Sequence, residues 1–143
     1  MFVKEIMTTN VKTIRPEDSV KLLAETMMKN QIGSLVVVEG SGEVVGIATE
    51  RDIIEDVILL GKDPEESKVK DIMTKDLIAV NPDITLEEAA EVMVNKKIKK
   101  LPVIDKGRLV GIITATDLIA YENKLVEKIS TIIMSSPMKN IGG

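Results

Sequence analysis

Apolar residues recur along this chain in two rhythms, and each rhythm is used twice. Val20, Leu23, Ala24, Met27 and Met28 fall at i, i+3, i+4, i+7 and i+8, the spacing of an amphipathic helix over residues 19–30. Leu86, Ala89, Ala90, Met93 and Val94 repeat the stripe, and Thr85 with Glu88 gives the capping-box pattern at its start. Methionine at such spacing reads as core filler, so both stripes are expected to face the interior. Pro16 and Pro82 stand upstream, each biasing its preceding residue toward an extended conformation. After each helix the rhythm changes. Leu35–Val38 and Leu101–Ile104 are short runs rich in β-branched residues, each followed by a glycine-containing turn and a second run ending at Thr49 or Thr114. Two β-hairpins are predicted. Second helices follow, from Glu50 to about Leu60 with Ile53, Ile54, Val57 and Ile58, and from Ala115 to about Met134 with Leu118, Ile119, Leu125 and Ile129. The stretch Gly61–Glu66 ends the first and bridges the halves.

These paired elements come from a duplicated unit. Val3-Lys4-Glu5-Ile6-Met7-Thr8 returns as Val69-Lys70-Asp71-Ile72-Met73-Thr74, and Val45-Gly46-Ile47-Ala48-Thr49 returns as Val110-Gly111-Ile112-Ile113-Thr114. Pro16 to Pro82 is 66 positions and Asp52 to Asp117 is 65, so one residue is gained or lost between them. The turn Glu39–Glu43 against Asp105–Arg108 is the simplest place for it. The division is therefore residues 1–66, residues 67–134 and a tail at 135–143. Within and beside that tail, Ile133-Met134-Ser135-Ser136-Pro137-Met138-Lys139 echoes the two opening segments, and it is expected either to pack beside the amino-terminal segment or on a partner subunit, or to be disordered at its end. Halves of this size are marginal alone, so they are expected to pack on each other.

Composition narrows the chemistry. With 143 residues, 44% hydrophobic and 29% charged, the chain reads as an ordinary globular one. It has no cysteine and no histidine, which removes disulfides, thiolate chemistry, the commonest general base and the commonest transition-metal ligand. No glycine-rich phosphate loop, metal-ligand cluster or nucleophile–base pair is visible, so neither an enzyme nor a metal site is expected. A net charge of −4 argues against nucleic acid as partner. Phe2 and Tyr121 are the only aromatics, so any bound ring would have to lie between aliphatic side chains. No apolar run is long enough to span a membrane and no leader pattern opens the chain, which makes the cytoplasm the expected location.

The doubled pattern resembles a tandem pair of CBS domains, the regulatory modules named after cystathionine β-synthase, in a stand-alone prokaryotic form. The likeness covers nearly the whole chain. It rests on Met-Thr before Thr13-Ile14-Arg15-Pro16, on Ile32-Gly33-Ser34-Leu35-Val36-Val37-Val38, on Gly46-Ile47-Ala48-Thr49-Glu50-Arg51-Asp52, and on their counterparts in half two. The resemblance implies an α/β fold of two pseudo-symmetric halves, each an extended segment, helix, strand, strand and helix. It also implies two clefts for adenosine-containing ligands such as AMP, ADP, ATP or S-adenosylmethionine, with no catalytic cofactor, and association into homodimers.

Asp52 and Asp117 would accept the two hydroxyls of a ribose, since a carboxylate offers two acceptor oxygens. Thr-x-x-Asp also simply starts helices, with Thr as cap and Asp favoured by the helix dipole, and both readings can hold together. By analogy with the family, Thr49 and Thr114 face the phosphate. The first cleft would combine Thr13, Ile32, Gly33, Thr49, Arg51 and Asp52 with Lys99 or Lys100 crossing over. The second would combine Ala79, Ile98, Lys99, Thr114 and Asp117 with Gly33 and Ser34 crossing over. Ile14, Ile32, Val80 and Ile98 offer aliphatic cover for adenine, though interior packing explains each as well. Thr116 stands where half one has Arg51, and Ala79 where it has Thr13, so anionic nucleotides are expected to bind more tightly at the first cleft. The expected function is a ligand sensor signalling to a regulated protein by association, the alternative being a ligand-free interaction scaffold.

Overall fold

The computed structural model describes residues 1–135. Half one contains strand β1 (Thr13–Ile14), helix α1 (Val20–Asn30), strands β2 (Ser34–Val38) and β3 (Val44–Thr49), and helix α2 (Glu50–Ile53), which runs on into a single π-type turn at Ile54–Ile58. Then come a short helix α3 (Val69–Ile72), helix α4 (Leu86–Lys96), strands β4 (Lys100–Asp105) and β5 (Arg108–Thr114), and the long helix α5 (Ala115–Ser135). The expected order of helix, strand, strand and helix holds in each half, but the opening segments expected to be extended also carry short helical pieces, a 3-10 turn at Val3–Glu5 and α3 at Val69–Ile72; the molecule is α/β.

Local chemistry sets the helix bounds. The Ser19 hydroxyl accepts the Leu22 N–H at 3.0 Å to open α1, and Thr85 with Glu88 forms the reciprocal capping box of α4. Both helices stop at a residue in the left-handed conformation, Gln31 (φ 54°) and Lys97 (φ 57°), whose N–H closes back on the last turn. A side chain there carries a steric cost that glycine avoids. Lys97→Gly is expected to stabilise the fold by about 1 kcal/mol, measured by denaturant unfolding; a loss of stability would count against this account of the helix end.

Met27 and Met93 are buried as expected, but the stripes are narrower than their spacing suggests. Met28 and Val94 are 81% and 74% exposed, and Ala24 is exposed too. Each helix rests on one sheet face only, so positions at the edge of the stripe roll out to the flank. The one-residue slip lies where the repeat placed it. Val38 pairs with Val44 around five intervening residues, whereas the equivalent Ile104 pairs with Leu109 around four, the tip being Lys106-Gly107 with both φ positive.

In half one β1 runs parallel to β2, and β2 antiparallel to β3. Half two repeats this with a single parallel bridge, Val80 to Val103, beside the β4–β5 hairpin. The opening segments, however, exchange. Val3, on a 3-10 turn at Val3–Glu5, is fully buried with Val80, Ala89, Met93, Leu101, Val103 and Ile113 of half two, and its N–H donates to the Ile84 carbonyl at 2.9 Å. Val69 and Ile72 enter the core of half one beside Val20, Leu23, Leu35 and Val57, with the Val69 N–H donating to the Asp18 carbonyl at 2.9 Å. Each half is finished by the other's opening segment, so the stretch that repeats in sequence differs from the unit that packs.

Candidate functional site

Both Thr-x-x-Asp turns have the same geometry. Strand β3 ends at Thr49 in extended conformation and α2 begins on it: the Thr49 hydroxyl accepts the Asp52 N–H at 3.1 Å, and Asp52 Oδ2 accepts the Thr49 N–H at 2.9 Å. Thr114 and Asp117 repeat the arrangement with the same two distances. Each aspartate thus commits one oxygen to its own helix start. The other oxygen of Asp52 has Thr74 Oγ1 at 3.5 Å, too long for a strong bond, while that of Asp117 has no hydrogen-bond partner among the described residues. Both carboxylates are half-buried. Each retains acceptor capacity for an incoming hydroxyl.

Pairing register brings further expected residues beside these turns. Ser34 lies opposite Thr49 and Lys100 opposite Thr114. Lys100 Nζ then crosses between the halves and donates to Ser34 Oγ at 3.3 Å. This is the one direct side-chain bond among the described residues that joins two expected site residues from different halves. Lys99 is exposed and contributes its carbonyl, which accepts the Ala115 N–H at 2.8 Å, just as the Gly33 carbonyl accepts the Glu50 N–H at 3.0 Å. The Glu50 carboxylate lies over Gly33, where a Cβ would meet it at 3.3 Å.

The remaining expected residues scatter. Ile14 and Val80 are interior, at 4% and 9% exposure, whereas Ile32 and Ile98 are half-buried against their cores. Thr13 is exposed and paired with Val36, Ala79 is half-buried, and Thr116 is exposed. Arg51 turns along its own helix, its Nε donating to Glu55 Oε1 at 2.6 Å; that carboxylate raises the guanidinium pKa above its ordinary value. Among the described residues, expected ones line the following hollows. One of about 390 Å³ is lined by Ile32, Gly33 and Glu50 with Met27 and Met28 of α1 and Ile54 of the π-type turn, and one of about 210 Å³ is lined by Thr9, Val11, Thr13, Val38, Gly42 and Leu109. Neither is lined by Asp52 or Asp117. Thr74 was not among the expected site residues, although the recurring Met-Thr of both opening segments is a signal that could have found it. Among the described residues no group of three or more acidic side chains is placed to hold a metal ion, and no helix is long and apolar enough to cross a membrane.

Comparison with known proteins bears on the doubled fold. The CBS domain pattern matches twice, over residues 3–58 and 69–124. The chain belongs to the CBS-domain family. A CBS domain-containing protein of Bacillus subtilis, YhcV, is 35% identical over 116 residues, which are 81% of each chain. An uncharacterized protein of Methanopyrus kandleri is 38% identical over 128 residues, 89% of this chain but 65% of its own length, so this CBS pair spans about two thirds of that relative. Among solved structures, CBSX2 in complex with AMP superposes with a TM-score of 0.76 at 25% identity, covering 87% of this chain and 97% of the other. The CBS pair here therefore shares its fold with a protein that binds AMP.

Proposed function

We propose that this CBS pair is a sensor for an adenosine-containing ligand, with AMP, ADP, ATP and S-adenosylmethionine as the candidates, and that a homodimer interface or a regulated protein in the cytoplasm reads the resulting change in packing between the halves. The observation that carries the reading is the Lys100 ammonium reaching Ser34 beside Thr49 and Asp52: a cation, two hydroxyls and a carboxylate with spare acceptor capacity come together from both halves. Ribose hydroxyls suit the carboxylate, and a phosphate suits the lysine with the hydroxyls. The AMP complex of the related CBSX2 supports the same ligand class. The reading assigns the module binding and no turnover; nucleotide hydrolysis abolished by Asp52→Ala would contradict that part.

Capping by both aspartates favours a second reading, in which the turns serve structure alone and the module is a scaffold. A thermal-shift panel of the four ligands separates the two. A ligand at about 100 times its dissociation constant is expected to stabilise the fold by about 2.7 kcal/mol. Asp52→Asn keeps a side-chain oxygen for the cap while removing the charge, so the free protein should be nearly unchanged while the ligand-dependent shift shrinks. Absence of a shift with all four ligands would leave the scaffold.

A further inference from the structure

The free oxygen of Asp52 has a neighbour from outside half one. Thr74 closes the second opening segment, which leaves α3 at Met73 in extended conformation and meets the edge of β3. There Thr74 and Ile47 exchange two backbone hydrogen bonds: the Thr74 N–H donates to the Ile47 carbonyl at 2.8 Å, and the Ile47 N–H donates to the Thr74 carbonyl at 2.9 Å. So close an approach needs the missing side chain of Gly46, where a Cβ would stand 2.7 Å from the Thr74 carbonyl oxygen. Ile47 comes two residues before Thr49, so pinning Thr74 to it fixes a hydroxyl beside the start of α2.

Thr74 Oγ1 lies 3.5 Å from Asp52 Oδ1, while Asp52 Oδ2 is held by the Thr49 N–H at 2.9 Å. The longer distance leaves the hydroxyl and the carboxylate oxygen poorly satisfied by each other. A third group bonded to both must donate a proton to Oδ1 and accept one from Thr74. A sugar hydroxyl does both, whereas an ammonium cannot accept and a carbonyl cannot donate. Thr74 is exposed, so an incoming sugar can reach it. Half two lacks this arrangement. Thr8 exchanges the same pair of backbone bonds with Ile112, each 2.9 Å long, yet among the described residues no side-chain donor reaches the second oxygen of Asp117. The duplication supplies both threonines, and one of them meets its carboxylate.

We infer that Thr74 is a specificity-determining residue of the cleft at Asp52, where the two side chains together read one ribose hydroxyl. This role rests on the sensor reading above and sharpens it: the Asp52 cleft discriminates against a sugar lacking that hydroxyl more strongly than the Asp117 cleft does. A deoxy sugar would leave the carboxylate oxygen and the threonine hydroxyl without a partner, which is how sites built to bond a hydroxyl reject its absence. Thr74 also belongs to the stretch that leads from half one into half two. Ligand bound at Asp52 therefore touches the link between the halves directly.

Calorimetry with AMP, 2′-deoxyAMP and 3′-deoxyAMP on the full chain tests it, comparing wild type with Thr74→Val and Thr74→Ser. Valine keeps the β-branched shape and both backbone bonds to Ile47, so the free variant should unfold as wild type does. Loss of one hydrogen bond between neutral groups is expected to weaken AMP about 5-fold. One deoxy analogue should weaken by the same factor, and the other, which lacks the hydroxyl being read, should be unaffected. Thr74→Ser should restore wild-type affinities, and Thr8→Val should leave them unchanged. AMP binding that valine does not alter, or an equal loss for all three ligands, would overturn the role of Thr74 while leaving nucleotide sensing in place. A wild type that binds none of the three would overturn the role too, and the four-ligand panel above then decides separately whether the sensor reading stands.

Discussion

Gly111→Val is expected to cost about 3 kcal/mol or more, lowering the melting temperature by roughly 6–12 °C. A Cβ on Gly111 would stand 2.5 Å from Met7 Sδ, 2.8 Å from Met7 Cγ and 2.9 Å from the Thr8 carbonyl oxygen. The methionine could shift; the carbonyl cannot, because Thr8 exchanges backbone hydrogen bonds with Ile112, each 2.9 Å long. Relief therefore requires the amino-terminal segment to leave, taking Val3 out of the half-two core. Amide hydrogen exchange gives the specific signature: protection of the Val3 and Lys4 N–H groups, bonded to the Ile84 and Pro82 carbonyls, should be lost before that of β2 and β3. Gly46→Val should act likewise on the second opening segment, since a Cβ there would meet the Thr74 carbonyl oxygen at 2.7 Å. If either variant keeps wild-type stability and protection, the exchanged packing is wrong.

Lys100→Met is expected to weaken AMP binding by about 10- to 100-fold, the loss of one charge-assisted contact of about 1.5–3 kcal/mol. Methionine preserves most of the aliphatic stem, so the fold should change little. The comparison that makes the result specific is adenosine, which lacks the phosphate and should bind wild type and variant alike in calorimetry. Equal losses for AMP and adenosine would show that Lys100 positions the halves and does not meet the anion. Arg51→Ala should cost far less than Lys100→Met. Its side chain is 85% exposed and its guanidinium is engaged by Glu55 one turn along the same helix, so it is spent locally. The expectation of tighter anion binding at the first cleft then rests on the crossing lysine more than on the arginine that first suggested it.

Different links of the chain were legible to different degrees. Helix starts at Ser19 and Thr85, the two hairpins and the odd residue in the first hairpin turn are local features, and local steric and capping rules specify them. Burial was legible only along the centre of each stripe. The Met27 and Met93 positions face the sheet whatever the helix's tilt, while Met28 and Val94 sit at the margin, where the placement of neighbouring elements decides. Residues 136–143, including most of the echoing tail, lie outside the described structure; Ile133 and Met134 within the echo continue α5 as helix.

By itself the sequence determined that one α/β unit is used twice, where α1, α2, α4 and α5 begin, and which two aspartates follow a capping threonine, because these depend on residues within a few positions of one another. Tertiary structure alone decided the rest. Two nearly identical opening segments could serve either core, and only packing sends Val3 to half two and Val69 to half one. Lys99 and Lys100 are equivalent as composition, but strand side chains alternate faces; it is pairing with Thr114, a contact between strands, that aims Lys100 across to Ser34 and leaves Lys99 in solvent.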